Sequence, residues 1–525
     1  MRRTPILSRL GSLALLVSAA AWLGACTDTV YRDRPPFNPP PDAASGFLGY
    51  FSANEQQTTC GNCHVDHQVD WLKHGHSGAY DVLATSGFDQ PFCYTCHTVS
   101  EYGNAVDSAA GWSVKQDKAY HDVQCESCHG PGETHVKTPD ATSPPLARVA
   151  ADTGATSGTC GECHDGSHHP YVSQWEQSRH GEANAEVVDE AVTVPATYGS
   201  CLACHEGRGV LKAWGVNKNY AEKNDVLSHT NALGITCAVC HDPHGSDNAG
   251  QLRFPIDDPA LDNNLCMKCH ARRFEPQLTS SRGPHAPQGP MFLGTAGWFP
   301  AGVDTTPQAS THGNPSANPR LCAGCHVTRL TVTDSSGNFQ LQSVGHLFRP
   351  IPCLDAQGNP IASNNCAYDA PSRNWSACTG SGCHSNVGAA VAAFDANRTT
   401  LATLADQIWV DVDADGTVDS TDTGLLALVV AGSPTNEFST SDGKITVAEG
   451  ALFNVRMIGE NRYANGDKSI GVHNPFLAQK LLALSIQALQ TQYPFLPAPP
   501  ASVRSLMQQA VSRAADAGHS TISSR

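Results

Sequence analysis

Cys60-Gly61-Asn62-Cys63-His64 sets a pattern that returns along the whole first two thirds of the chain. It recurs as Cys93-Tyr-Thr-Cys96-His97, Cys125-Glu-Ser-Cys128-His129, Cys160-Gly-Glu-Cys163-His164 and Cys201-Leu-Ala-Cys204-His205. Three more follow, at Cys237-Ala-Val-Cys240-His241, Cys266-Met-Lys-Cys269-His270 and Cys322-Ala-Gly-Cys325-His326. A ninth, Cys378-Thr-Gly-Ser-Gly-Cys383-His384, places four residues between its cysteines. Two thiols on one short turn match the two vinyl groups of a single porphyrin, and the adjacent histidine reaches the iron from below. One such motif also fits a zinc half-site or a redox dithiol; nine, each with its own histidine, imply nine covalent c-type haems.

Histidine usage agrees. Nine of the 24 histidines belong to the motifs, and the other fifteen exceed the nine distal positions that bis-histidine irons need. His74, His76, His121, His135, His180, His229, His244, His285, His312 and His346 are the candidate distal ligands in this region. His74 and His76 follow Trp71, and His180 follows Trp175; His244 lies three residues past His241, from where it reaches a neighbouring haem.

The composition explains why the cofactor must supply the core. Charged residues are 16% of the 525-residue chain, 46 glycines and 34 prolines demand abundant loops, and the hydrophobic content is 40%. The formal charge of −16 argues against nucleic acid as a partner, because neutralising phosphates takes clustered Lys and Arg. Arg2, Arg3 and Arg9 precede a short apolar run ending Leu23-Gly24-Ala25-Cys26, which reads as a signal peptide over 1–25. The small residues before Cys26 resemble the lipobox of bacterial lipoproteins. That resemblance implies a lipid anchor on Cys26, a Pro-rich linker over 26–46, and export to the outer membrane, the cell surface or the periplasmic face.

First cysteines of successive motifs stand 33, 32, 35, 41, 36, 29, 56 and 56 residues apart. These intervals are too irregular for a solenoid and too short for a separate core around each haem. The expected fold is mainly α with extensive irregular loops and little β, the haems packed together as the core of a domain over 47–390. Cys353 and Cys366 lie outside every motif and, in an oxidising compartment, read as one disulfide closing a short loop.

Residues 391–525 are rich in Ala, Leu and Val and read as a helical region. Asp411, Asp413, Asp415, Asp419 and Asp422 supply oxygens at positions 1, 3, 5, 9 and 12 of a calcium loop, with the Thr417 carbonyl at 7 and Gly416 at the tight turn. The loop resembles the EF-hand of dockerin modules. Phe438 through Glu449 reads as a degenerate partner loop, with Val418 and Ile445 expected to pair across the two.

The run Cys60 to His76, its counterpart Cys160 to His180, and Cys125-Glu-Ser-Cys-His-Gly-Pro-Gly-Glu-Thr-His135 resemble multihaem cytochromes related to bacterial tetrahaem electron carriers and octahaem reductases. Gly471-Val-His473-Asn-Pro475 resembles the terminal segment of multihaem nitrite reductases, which implies that His473 is a distal ligand. Taken with the lipobox and the long-spaced ninth motif, the chain looks most like outer-surface cytochromes of metal-reducing bacteria. The resemblance implies electron conduction along bis-histidine haems, with envelope redox proteins, an outer-membrane porin–cytochrome complex or an extracellular acceptor as partners. Two alternatives stay open: a multihaem reductase of nitrite, hydroxylamine or tetrathionate, and a subunit of an extracellular cytochrome filament. No Cys-x-x-Cys-Lys motif occurs in the chain.

Overall fold

The computed structural model describes residue 42 and residues 45–139, 144–150 and 160–520, apart from 167–168, 217–218, 279–281, 334–335, 381, 460–462 and 464. Cys26, the signal segment and most of the linker lie outside the described residues. From residue 45 to 384 the chain runs through short helices and single helical turns joined by irregular loops. The motif cysteines sit on those turns, for example Cys125–His129 and Leu321–His326.

Two helices show that part of the chain is built twice. Helix α1 (Val65–Trp71) follows the first motif and α2 (Tyr171–Glu176) follows the fourth. Each carries in its last turn a largely buried tryptophan whose indole N–H donates across the fold to a carbonyl just ahead of a motif two further on: Trp71 to Val123 at 2.8 Å and Trp175 to Ile235 at 2.7 Å. Burying an indole requires such a partner, so each tryptophan fixes one motif against another.

Among the described residues, sheet is confined to three two-stranded antiparallel hairpins. They are β1 (Tyr50–Ser52) with β2 (Gln57–Thr58), β3 (Leu330–Thr333) with β4 (Phe339–Ser343), and β5 (Cys353–Leu354) with β6 (Pro360–Ile361). Cys353 and Cys366 are bonded at 1.98 Å across 13 residues, tying the last hairpin to the loop that follows it.

The largest apolar core belongs to the C-terminal helices: α3 (Val387–Ile408), α4 (Leu425–Gly432), α5 (Val447–Ile458), α6 (Pro475–Gln492) and α7 (Ala501–Ser520). Asn386 caps α3, Thr446 and Glu449 form a reciprocal capping box on α5, and Asn474 with Pro475 starts α6. Leu404, Ile408, Leu425, Val429, Val455, Leu481 and Ile486 pack together with 0% exposure, so α6 is enclosed by its neighbours. Met291 and Ala296 from the motif-bearing part join this core, and α3 starts at Val387, so apolar packing runs across the boundary expected at 390. The buried Asn454 side chain pins the junction. Its Oδ1 accepts from Trp298 N at 2.8 Å, and its Nδ2 donates to Trp298 O at 2.8 Å and Ser485 Oγ at 3.0 Å. Gly297 (φ +104°) lets the chain pass α6 here, since a Cβ would stand 2.4 Å from a Leu481 methyl.

Candidate haem-binding sites

Eight of the nine motif histidines face a second histidine at one recurring distance. The ring centroids are 6.4 Å apart for His64 and His135, 6.1 Å for His129 and His244, 6.0 Å for His164 and His76, and 5.8 Å for His205 and His285. They are 6.4 Å apart for His241 and His346, 6.2 Å for His270 and His180, 6.2 Å for His326 and His473, and 6.3 Å for His384 and His312. Two metal–nitrogen bonds of ~2 Å and two ring radii put imidazoles on opposite sides of one metal with centroids about 6 Å apart. The side chains therefore fit an iron between them.

The ring orientations fit as well. A carbonyl or carboxylate oxygen can only accept, so a ring nitrogen bonded to one carries the proton and leaves the other lone pair for a metal. Nδ1 of His129 donates to Pro145 O at 2.8 Å, that of His241 to Gly250 O at 2.6 Å, that of His326 to Phe348 O at 2.9 Å and that of His312 to Val472 O at 2.6 Å. His473 donates to the buried Asp467 carboxylate at 2.6 Å. Burial pushes His164, His180, His244, His285, His326 and His346 down to about 4, which keeps these imidazoles neutral and able to bind a metal.

Three expected distal ligands are placed elsewhere. His74 Nε2 accepts the backbone N–H of Ser246 at 3.0 Å, so its lone pair is engaged. His121 lies flat on Tyr80, ring centroids 3.4 Å apart, beside Trp112. His229 is exposed, 3.7 Å from the Asp189 carboxylate. Their positions near a motif or a tryptophan suggested ligation, but tertiary contacts use each ring differently. His97 donates from Nδ1 to Ala79 O at 2.8 Å, as its fellows do, yet among the described residues no second histidine ring stands opposite it at the recurring distance. Sequence reasoning passed over His67, which stacks on His244 at 4.2 Å and lies 6.3 Å from His64. Its signal was present: it stands three residues after a motif histidine, the spacing that drew attention to His244.

In the acidic loop, oxygens of Asp411, Asp413 and Asp415 lie within 4.8 Å of one another. Gly416 (φ +77°) makes the turn and donates its N–H to Asp411 Oδ2 at 3.0 Å, while the buried Asp411 Oδ1 has no hydrogen-bond partner. This donor set fits a hard cation. Asp422 departs from the expected role: its carboxylate accepts from the Trp409 indole at 2.8 Å and Val412 N at 2.9 Å, holding the loop's two ends together. The β-bridge here joins Val410 and Thr423, which flank the first loop, in place of the expected pairing of Val418 with Ile445. Glu449 closes the capping box of α5, which uses it as a helix start.

Repeated attachment motifs, most of them with a second imidazole facing the first, fit covalent haem c as multihaem c-type cytochromes hold it. A family model described as cytochrome c554 and c-prime matches residues 59–130, and one described as a doubled CXXCH motif matches residues 229–274. The multiheme cytochrome MtrA of Shewanella baltica (strain OS185) is 27% identical over 208 residues, which are 37% of this chain and 55% of that protein. The chain thus spans about half the length of this relative. No solved structure matches it.

Proposed function

We propose that the chain conducts electrons along closely packed bis-histidine haems at the cell envelope, anchored through Cys26 and passing charge between envelope redox proteins and extracellular acceptors. The observation that carries this reading is the recurrence of 5.8 to 6.4 Å between paired histidine rings. An iron held by two imidazoles takes and gives one electron without opening a site for substrate, which suits a carrier. The bound haems supply the redox couple. The polypeptide orients the imidazoles through carbonyl and carboxylate acceptors, keeps them neutral by burial, and packs the motifs against one another. One observation favours a reductase as the second reading: among the described residues no histidine ring stands opposite His97 at the recurring distance.

Stopped-flow mixing of the fully reduced protein with a soluble ferric chelate tests the carrier reading. Each ferrous haem should give one electron to one chelated ferric ion, with no turnover of nitrite, hydroxylamine or tetrathionate in the presence of excess reductant. Sustained consumption of any of the three would establish the reductase instead.

A further inference from the structure

Residues 466–473, between α5 and α6, meet imidazoles belonging to three motifs within one short stretch. Asp467 Oδ1 accepts from Nδ1 of His473, which faces His326 of the eighth motif. Val472 O accepts from Nδ1 of His312, which faces His384 of the ninth. The seventh motif is reached through Gln288. Its Oε1 stands 3.3 Å from His270 Nδ1, and its Nε2 stands 3.3 Å from Gly466 O and 3.4 Å from Asp467 O.

The partners fix which way each group points. A backbone carbonyl only accepts, so the end of Gln288 that faces two carbonyls is its amide nitrogen. Its oxygen then faces His270, whose Nδ1 carries the proton and whose Nε2 is left for a metal. One amide thus orients the seventh motif's imidazole with one end and holds residues 466 and 467 with the other. The strap they begin is wound tightly. Lys468 (φ +58°) and Ile470 (φ +55°) take left-handed backbone, which non-glycine residues keep only where surrounding contacts impose it. Those contacts are present: Asp467 N donates to Met457 O at 2.9 Å, Ser469 Oγ donates to Asp467 Oδ2 and accepts from His473 N at 3.2 Å, and Asn397 on α3 donates to Ile470 O at 3.0 Å. Gly471 (φ +76°) completes the packing, since a Cβ there would stand 2.3 Å from a Leu401 methyl.

We propose that Gln288 is a positioning residue shared by two haems: through the strap it couples the axial ligand of the seventh motif's haem to that of the eighth, so that their potentials are set together. An acceptor on a ligating imidazole makes that ligand more basic and favours the ferric state. Gln288 supplies the acceptor to His270 directly. By holding the Asp467 carbonyl, it also keeps the Asp467 carboxylate against His473. Loosening this one side chain therefore changes two potentials.

This inference rests on the bis-histidine carrier reading, and its tests separate the two. In spectroelectrochemical titrations of the holoprotein, with haem content checked by intact mass, Gln288→Leu should move two components to higher potential. One of them is the component that Asp467→Asn also moves. Gln288→Glu sets a carboxylate against His270, and should move the other component to lower potential. Combining Gln288→Leu with Asp467→Asn should move the shared component by less than the two single shifts together, because Gln288 acts on His473 through Asp467. A response in one component only, additive shifts in the double variant, or shifts of the same sign for Gln288→Leu and Gln288→Glu in the unshared component overturn the coupling.

A crystal structure of the parent holoprotein gives a reading that needs no variant. Gln288 should lie between His270 Nδ1 and the carbonyls of Gly466 and Asp467, with His270 and His473 each bound to an iron. Both imidazoles on their irons with Gln288 turned away from either partner overturns the coupling and leaves the carrier reading standing. Gln288 in place with those two imidazoles bound, but with open faces at the other irons, overturns the carrier reading alone.

Discussion

At His473, a ring carried by the loop before α6 is held at both ends, by the Asp467 carboxylate on Nδ1 and by the geometry that sets it opposite His326. A carboxylate accepting from a ligating imidazole makes that ligand more basic and favours the ferric state. Asp467→Asn should therefore shift one component of a spectroelectrochemical titration to higher potential while all haems stay attached; superimposable curves would refute the role. Removing the ring itself is harsher: His346→Ala should convert one haem to a high-spin form, seen by electron paramagnetic resonance. His74→Ala and His229→Ala should leave the spectrum as it was, because those rings bind a backbone N–H and stand near a carboxylate. This contrast marks what was legible at the residue scale. Motif histidines announce themselves by covalent spacing, a local property. The facing histidines stand 71 to 147 residues from their motif histidines, as with His64 and His135 or His326 and His473, so adjacency in sequence pointed to His74 and His121 instead.

Among the elements, the C-terminal helices were readable from their apolar content, whereas the three hairpins were not, being too short to carry an alternating pattern. In the acidic loop, the clustering of Asp411, Asp413 and Asp415 was readable. Asp422, which position alone would make a ligand, is instead claimed by the Trp409 indole. Calcium that binds only the folded chain should raise the thermal midpoint, by about 2.7 kcal/mol at a hundredfold excess over its dissociation constant. Asp411→Ala with Asp415→Ala should erase that response and leave the midpoint in chelator nearly unchanged. Asp422→Ala should lower the midpoint in chelator too, by roughly 1–3 kcal/mol, since it strands buried donors. Equal midpoints with calcium and with chelator in the parent protein would remove the cation from this loop. The disulfide of the last hairpin closes a 13-residue separation. Replacing Cys353 and Cys366 by alanine should cost about 3 kcal/mol on the chain-entropy view, with every haem retained.

For the whole molecule, two kinds of core are joined. The C-terminal helices bury Leu, Ile and Val against one another, while among the described residues the motif-bearing part has only small apolar clusters between its turns. Such a chain depends on its covalent cofactors for cohesion, and the irregular motif intervals made that dependence readable from the sequence, though the order of the haems in space was not. Anchoring through Cys26 predicts that Cys26→Ala moves the protein from the membrane fraction to the soluble one with its haem content intact; parent protein found wholly in the medium would exclude the anchor. Whether the irons are closed by paired imidazoles is decided by titrating the fully reduced protein with carbon monoxide and following the Soret band. Eight irons should stay low-spin and unreactive, and no more than one haem per molecule, that of His97, should bind the gas. Stoichiometric binding at two or more haems would contradict the bis-histidine arrangement on which electron conduction rests.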